Sequence, residues 1–527
     1  MTRLSPALAR LPGAGSAVPA ALVLVLPLAV VCRGLLRLGR AGREAWSRVP
    51  HERRGPAALL LVTGSALVGM APHGVPLAAL ALLAAAAVRG REAAAPTRAE
   101  RKAQLRRAEE ARTRRLQTVH EALVPHFSRP GAPTLDPLPA CGDDWQRTVV
   151  KHAFTADGRI ARLRLHYPAH FPDSDAAARA GVQDVLAAKA GRDREFRFRW
   201  DQECNQVDMR ALAPLPTGIC AQRFVTAPGE VLLGFTDADS VDRTVPVRET
   251  GTGAVTSEAA PVVWRTGARS AQPHLLVVGR PGAGTTSLLR SVVLQGLQHG
   301  EAVLIDGSGA GEFACFAGRQ GVLATESAPS GALAVLEWAA HETERRLAAV
   351  ARARRTGVTG AGARPLWLVL DRPSQLIRPA GKERLAAVQE LLGVVLRLGR
   401  AGGVRVVLAE HFEALDTLSG TVREYAHARI VLGTAPAPRL RAVLGELPDS
   451  TPAPEMPPGR GYCRLGPGPV LRLQAPATPD PGDDSADGRE REAVLALLPG
   501  PVLPLERRTA SRSGADASGS GATDQVM

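Results

Sequence analysis

The chain has 527 residues and a net charge of +14, and at roughly 100–200 residues per domain it has room for two or three folded units with tails. Its six cysteines are scattered without a CxxC pair, so neither a zinc ribbon nor a disulfide framework is predicted, and free thiols in a reducing cytoplasm are favoured. The basic excess favours a polyanionic partner. It is weak evidence for nucleic acid, because the chain has only four lysines and arginine bias is also typical of a GC-rich genome.

Two apolar runs predict a membrane region over residues 1–92. The first covers about residues 17–38, and the second covers about residues 55–88, where His73 is the only ionisable side chain. A helix needs about 20 apolar residues to cross the hydrocarbon core, and turn residues at 71–76 favour a hairpin over one tilted, kinked span. A cleaved signal peptide is the alternative interpretation of the first run.

The arginines near these runs predict an orientation. The segment 33–54 holds seven arginines and two glutamates, and the stretch after residue 88 is also basic. The positive-inside rule places both on the cytoplasmic face, which predicts a multi-pass protein of a bacterial cell membrane with its large C-terminal part in the cytoplasm. Residues 93–135 are predicted to form a basic helical linker, either solvated or attracted to anionic headgroups.

The remaining chain divides into three predicted parts. Residues 136–265 are predicted to form a small α+β domain, in which residues 146–212 have a ββαββ pattern and residues 214–265 are an irregular or β-rich connection. Residues 266–475 alternate short apolar runs with helical stretches, which predicts an α/β domain with a mainly parallel sheet. Residues 476–527 are predicted to be a disordered tail.

A glycine-rich loop lies between the first apolar run of this α/β domain and the helix that follows. The glycines would let backbone N–H groups face a phosphate, and the helix N-terminus adds a partial positive charge. Gly279 and Gly284 have the spacing of the G-x-x-x-x-G-K-[ST] phosphate loop. The candidate nucleotide-binding residues are Gly279, Arg280, Pro281, Gly282, Ala283, Gly284, Thr285, Thr286 and Ser287.

The catalytic positions of this loop differ from those of a working ATPase. Thr285 stands at the position of the lysine that reaches the β- and γ-phosphates. Thr286 and Asp371, which ends a later apolar run, are candidate Mg²⁺ ligands. Arg372 stands where a glutamate often activates water, and a cation cannot act as a general base. Arg280 or Arg290 are the alternatives that would have to supply the missing charge.

In the order of its landmarks the chain resembles the FtsK/SpoIIIE family of DNA translocases, which includes conjugative Tra proteins of actinobacteria. The resemblance covers residues 273–473 and includes an aspartate-ended strand at 304–306, a helix at 338–353 and the run 400–405 before another strand. It implies a RecA-like P-loop core, ATP and Mg²⁺ as cofactors, double-stranded DNA as partner and a homo-oligomeric ring. The family's sensor glutamine corresponds to residues 410–412, which read Glu-His-Phe here.

Together these residues predict a membrane-anchored FtsK/SpoIIIE-like protein that is related to ATP binding and DNA translocation and has lost hydrolysis. One alternative is a catalytically dead pseudo-ATPase scaffold. Another is a nucleotide sensor, and either form could work in a mixed ring with an intact paralogue.

Overall fold

The computed structural model describes scattered positions between residues 32 and 46, and then residues 54–70, 74–91, 98–128, 145–249, 256–357, 364–377, 381–417, 420–453 and 455–502. By internal contacts the chain divides into two units, residues 1–111 and 112–527. The predicted apolar run at 17–38 lies almost entirely outside the described residues.

The N-terminal unit contains two apolar helices, α1 (Arg54–Met70) and α2 (Gly74–Arg91), which contact each other. The break between them falls within the predicted turn at 71–76. No helix in the described part of the chain combines the length and the apolar character needed to cross a bilayer. Helix α3 (Arg98–Phe127) then spans the division between the two units.

The C-terminal unit begins with a small α+β domain. A helical turn, α4 (Trp145–Thr148), leads into β1 (Val149–Phe154) and β2 (Ile160–His166). Helix α5 (Ala176–Ala190) connects them to β3 (Phe196–Asp201) and β4 (Gln206–Ala211). The four strands form an antiparallel sheet in the order β1-β2-β4-β3. One face packs against α5 and the end of α3, and this core includes Leu116, Leu123, Leu163, Val182 and Phe196.

The larger domain is built on an eleven-stranded sheet in the order β10-β9-β11-β12-β8-β13-β14-β15-β5-β7-β6. The first six strands in this order are parallel and the remaining ones are antiparallel. Their bounds are β5 Glu230–Thr236, β6 Val245–Arg248, β7 Thr256–Arg265, β8 Leu275–Gly279, β9 Glu301–Asp306, β10 Val322–Glu326, β11 Leu366–Asp371, β12 Val404–His411, β13 Ala428–Leu432, β14 Arg460–Leu465 and β15 Leu471–Gln474.

Helices cover both faces of this sheet, as expected for strands that are apolar on both sides. They are α6 (Thr285–Gly296), α7 (Pro329–Arg355), α8 (Pro373–Ile377), α9 (Gly381–Gly402), α10 (Gly420–Tyr425), α11 (Ala437–Leu444) and α12 (Gly488–Leu497). Helices α7 and α9 bury side chains in one core, and α6 and α12 bury side chains in the other. The predicted α/β class with a large parallel sheet is confirmed.

Two predicted boundaries differ from the structure. The segment predicted as a connection within the small domain, 214–265, instead supplies β5, β6 and β7 to the large sheet, through a pair between Phe235 and Gln474. The predicted disordered tail at 476–527 begins with described structure, because α12 buries Val494 in the core of the large domain. Residues 503–527 lie outside the described part of the chain.

A buried group of charges joins the two domains of the C-terminal unit. The Arg472 side chain on β15 is 2% exposed, and its guanidinium donates hydrogen bonds to Asp237 and to Glu195 just before β3, the latter at 2.6 Å. Arg197 on β3 also pairs with Asp237, at 2.9 Å. Because water is excluded here, each charge depends on its partners for stabilisation.

We therefore expect Arg472→Leu to lower the free energy of unfolding by about 3–5 kcal/mol, since it removes the cation that pairs most closely with the buried carboxylates of Asp237 and Glu195. Chemical denaturation of the full chain measures this change. Arg210→Leu is the matched control: Arg210 pairs with Asp239 at the surface with its side chain 58% exposed, so its loss should cost about 1 kcal/mol or less. Equal costs for the two variants would contradict the role of burial.

Candidate nucleotide site

The phosphate loop lies where β8 ends and α6 begins. Gly282 and Gly284 have positive φ angles of 78° and 92°, in the left-handed region that glycine favours. A Cβ atom at Gly284 would lie 2.8 Å from the backbone nitrogen of Gly459. Glycine is required at position 284 by its backbone conformation and by this close approach, while Arg280, Pro281 and Gly282 form the exposed tip of the loop.

The first turn of α6 supplies donors for an anion. The first helical bond runs from the Leu288 N–H to the Gly284 carbonyl, at 3.0 Å. The N–H groups of Thr285, Thr286 and Ser287 precede it and therefore have no carbonyl partner within the helix. With the dipole of a 12-residue helix behind them, these groups fit a phosphate.

Thr285 occupies the position where a phosphate loop usually has its lysine. Thr285 is only 6% exposed, and a Cβ atom at Gly279 would lie 2.7 Å from its methyl group. Neither nearby arginine replaces the lysine in this structure. Arg280 donates to the Thr434 hydroxyl at 3.2 Å, and Arg290 donates to the Glu312 carboxylate at 2.6 Å.

Asp371 ends β11 beside the loop and is fully buried. Its Oδ2 accepts a hydrogen bond from the Thr286 hydroxyl at 2.7 Å, while its Oδ1 has no hydrogen-bond partner. Burial raises the pKa of Asp371 to about 6, although the Thr286 hydroxyl and the Arg372 guanidinium both oppose this rise. The structure thus brings together the two predicted Mg²⁺ ligands.

Arg372 follows Asp371 with a positive φ of 50°, which is uncommon for a residue with a side chain. Its Nε lies 3.7 Å from Asp371 Oδ1, and its terminal nitrogen donates to Glu312 at 3.1 Å. The Arg372 side chain is 18% exposed. A cation therefore lies beside the Asp371 carboxylate, where a water-activating glutamate would be expected.

Glu312 was not predicted from the sequence, yet it links Arg290 to Arg372. Asp306, at the end of β9, holds the loop that carries it. One Asp306 oxygen accepts from the Ser308 N–H and hydroxyl, and the other accepts from the Gly311 and Glu312 N–H groups at 2.8 and 3.0 Å. The Asp306 side chain therefore caps this turn. The only sequence signal for the turn is its run of glycines and serine, which does not identify the partners of Glu312.

The sensor position also has a structural role here. Glu410, near the end of β12, is buried and accepts hydrogen bonds from the N–H groups of Ser374 and His411, at 3.1 and 2.9 Å. His411 lies opposite Gly279 in the register of the sheet. Glu410 fixes the start of α8, the helix that follows Arg372.

Two later segments close around the phosphate loop. The Gly459 N–H donates to the Ala283 carbonyl at 2.8 Å. The Ser287 hydroxyl donates to the Thr478 carbonyl at 3.0 Å and accepts from the Thr478 N–H at 3.1 Å. The hydroxyl of Ser287, a predicted nucleotide ligand, is therefore used within the protein, which leaves its backbone N–H as the group that could bind a phosphate.

The residues present fit a phosphate group better than a metal ion. The orphaned Oδ1 of Asp371 and the Thr286 hydroxyl are suitable donors for Mg²⁺. The Arg372 cation, however, lies close to that same oxygen and would repel a divalent ion. No cluster of three or more His, Cys, Asp or Glu side chains suited to a metal occurs among the described residues.

A parallel sheet with this strand–loop–helix unit and an acidic strand end is the arrangement found in P-loop proteins. The chain is homologous to FtsK/SpoIIIE-type ATPases, which confirms the resemblance found in its sequence. It is 30% identical over 250 residues to the ESX secretion system protein EccC of Thermomonospora curvata, covering 43% of this chain and 18% of that protein. It is 24% identical over 229 residues to the DNA translocase FtsK of Tropheryma whipplei, covering 38% and 30%.

The chain thus spans less than a third of the length of either of these two curated relatives. No family model matches it. Among solved structures, the pCW3 conjugation coupling protein TcpA aligns over 66% of this chain and 92% of its own, with 16% identity and a TM-score of 0.42. The cytoplasmic domain of Thermomonospora curvata EccC aligns over 55% and 34%, with 24% identity and a TM-score of 0.37.

The pKa of Asp371 predicts a pH-dependent stability. Its folded value of about 6 exceeds the ordinary value, so the folded state holds this proton more tightly than the unfolded chain does. The resulting stabilisation is present below about pH 4 and is lost as the pH rises through about 6. Asp371→Asn cannot titrate, so its stability relative to the wild type should rise by roughly 3 kcal/mol from about pH 4 to pH 8.

Denaturant unfolding of both proteins in the presence of a chelator and without nucleotide measures this difference. A stability difference that does not change with pH would show that the carboxyl group ionises as it does in water.

Proposed function

We propose that this chain is a membrane-associated FtsK/SpoIIIE-type P-loop protein that binds ATP through its phosphate loop and does not hydrolyse it at a useful rate. In this proposal it acts in a DNA-translocation or secretion assembly, as a nucleotide sensor or scaffold. It would do so in a ring of its own copies or in a mixed ring with an intact paralogue, and double-stranded DNA is the proposed partner.

The observation that carries the proposal is that one site keeps the groups that hold a phosphate and lacks the groups that catalyse its transfer. The backbone cradle, the Thr286–Asp371 hydrogen bond and the uncapped start of α6, with its free N–H groups, are all present. The charged groups that would stabilise and start phosphoryl transfer are replaced by Thr285 and Arg372. Removing such preorganised groups typically costs orders of magnitude in rate, whereas backbone amides alone can still hold a phosphate.

The same geometry supports binding with little help from metal. Mg²⁺ would be held by Thr286 and Asp371 and would neutralise phosphate charge. Arg372 already places a positive charge 3.7 Å from the Asp371 carboxylate, and Glu312 fixes its guanidinium there. A divalent ion would have to displace or tolerate this cation, so most of the affinity should come from the loop.

Contacts of the phosphate loop favour the sensor role over a passive scaffold. Gly459 bonds the loop, and the next residue, Arg460, has its guanidinium 3.6 Å from Glu195 at the edge of the small domain. Two guanidinium nitrogens of Arg460 have no hydrogen-bond partner. A shift of the 457–459 segment on nucleotide binding would therefore reach the small domain through a single residue.

Calorimetric titration of the full chain with ATP tests the proposal. We expect a dissociation constant in the micromolar range that changes by less than about tenfold between Mg²⁺ and a chelator. No phosphate release above background is expected, with or without duplex DNA. The double variant Thr285→Lys/Arg372→Glu restores the family residues, so it should bind ATP more tightly and require Mg²⁺.

Gly284→Asp should abolish binding, because its side chain meets the Gly459 backbone and places a negative charge in the cradle. Gly158→Asp is the matched control: it has a similar positive φ of 78° but open space around it, in the small domain. Absence of any heat at millimolar ATP would contradict nucleotide binding. Vigorous hydrolysis by the wild type would contradict the loss of catalysis.

Membrane association is the second part of the proposal, and the surface of α1 and α2 supports it. Both helices expose large apolar side chains: Leu60 and Leu67 are 72% and 71% exposed, and Leu80 is 68% exposed. Apolar surface of this extent on a soluble monomer is costly, and a lipid bilayer would cover it. At 1.5 Å per residue each helix is about 26 Å long, which is shorter than the roughly 30 Å of the hydrocarbon core.

Flotation of the full chain with lipid vesicles tests this part. We expect the wild type to float, and the triple variant Leu60→Glu/Leu67→Glu/Leu80→Glu to remain in the soluble fraction. Leu105→Glu on α3 is the control, because Leu105 is equally exposed, at 70%, but lies outside the hairpin. Flotation of the triple variant at the wild-type level would rule out the hairpin as the anchor.

A further inference from the structure

The outer face of the small four-stranded sheet carries an unusual arrangement of charge. Its inner face is the apolar core against α3 and α5. Because side chains alternate along a strand, the residues between those core positions point outward. We call the outward set the basic face; its cationic members are Lys151, Arg162, Arg164, Arg197, Arg199 and Arg210.

The strand register arranges the basic face in two rows that cross the sheet. In the first row Lys151 lies opposite Arg164, Arg164 opposite Asp208, and Asp208 opposite Arg199. In the second row, on the same strands, the residues opposite one another are Ala153, Arg162, Arg210 and Arg197. Three arginines are thus direct neighbours in the second row.

Folding alone does not account for this pattern, since like charges directly opposite each other destabilise a sheet. The protein relieves part of the repulsion. Asp208 accepts from both Arg162 and Arg164, at 2.6 and 2.7 Å. Lys151 and Arg199, at the two ends of the first row, are exposed and form no ion pair with the residues that the structure describes. A surplus of positive charge therefore faces solvent.

The ion pairs also fix the shape of this surface. Arg162 and Arg164 share one carboxylate but keep 41% and 37% of their side chains exposed. Arg197 is held at the other end by Asp237 and Asp449. Guanidinium groups held in this way lose less rotamer freedom when they bind an anion, and their forked donors suit phosphate oxygens.

We propose that the basic face binds the phosphate backbone of a nucleic-acid duplex without reading its sequence. A protein partner is disfavoured because the two rows contain no large apolar side chain for the core of an interface, and Val150 beside Lys151 is the one exposed large apolar side chain of β1. A single strand is disfavoured because the two rows contain no aromatic ring on which bases could stack. A flat, anionic lipid surface is also disfavoured, because it would contact the acidic border formed by Asp239 and Asp449. These side chains are 41% and 55% exposed.

This inference deepens the proposed function, because it gives the small domain its own contact with nucleic acid. It rests on the proposed duplex partner but not on ATP binding. The duplex would contact the first row end to end, from Lys151 on β1 to Arg199 on β3. Such backbone contacts position a duplex and carry no sequence information.

Fluorescence anisotropy of the full chain with a short labelled DNA duplex, measured without nucleotide, tests the inference. With about four phosphate contacts, affinity should fall roughly 100-fold between about 50 and 200 mM salt. Lys151→Glu/Arg199→Glu removes the two unpaired cations without breaking an ion pair. We expect it to bind at least about tenfold more weakly, with a shallower salt dependence.

The control is Arg352→Glu/Arg489→Glu, which makes the same change in net charge at exposed positions on α7 and α12. It should bind the duplex within about threefold of the wild type. An equal loss in both double variants would show a general charge effect and overturn the proposal. So would a basic-face variant that keeps duplex binding but loses binding to anionic lipid vesicles, because the face would then dock on lipid.

The outcome is separable from nucleotide binding. A chain that binds duplex through the basic face but gives no heat with ATP would keep this inference and contradict the proposed nucleotide site. A chain that binds ATP, and whose basic-face variant binds duplex like the wild type, would support the proposed nucleotide site and contradict this inference.

Discussion

The structure depends on one constraint: six parallel strands, five of them buried on both faces, must all end at the same edge of the sheet. Asp371 lies opposite Asp306, and His411 lies opposite Gly279. The chain therefore gathers three acidic strand ends, Asp306, Asp371 and Glu410, beside one phosphate loop. Buried carboxylates repel each other and cannot remain there without donors. The chemistry of the site follows from how each one is satisfied.

Two of these carboxylates have a structural role, and the third keeps an oxygen free for a ligand. Asp306 and Glu410 accept hydrogen bonds mainly from backbone N–H groups, so they fix loops and are not free to act on a substrate. Only Asp371 keeps an oxygen without a partner. In a P-loop ATPase a metal ion would serve that oxygen, and here the nearest cation is Arg372. One substitution thus removes the expected base and also changes the charge beside the metal position.

The sequence predicted those parts of the fold and site that depend on local patterns. The glycine spacing identified the phosphate loop, and apolar runs identified the strands and their parallel arrangement. It did not place β5 in the large sheet, because its partner β15 is more than two hundred residues away and a strand's own residues do not name its neighbour. The positions of Arg280 and Arg290 were also left open. Their partners Thr434 and Glu312 lie on separate loops, which meet only once the sheet has formed.

The buried charges away from the nucleotide site link the small domain to the strands beside the phosphate loop. A chain that needed only a compact domain would gain nothing from burying Arg472 among Asp237 and Glu195, since an apolar group of the same shape is often as stable. These charges hold the edge of the small sheet against β14 and β15. The residue just before β14, Gly459, bonds the phosphate loop, and Arg460 at its start reaches Glu195. The phosphate loop, through Gly459 and Arg460, and the small sheet that carries the basic face, through Arg197, therefore both contact this one group of buried ions.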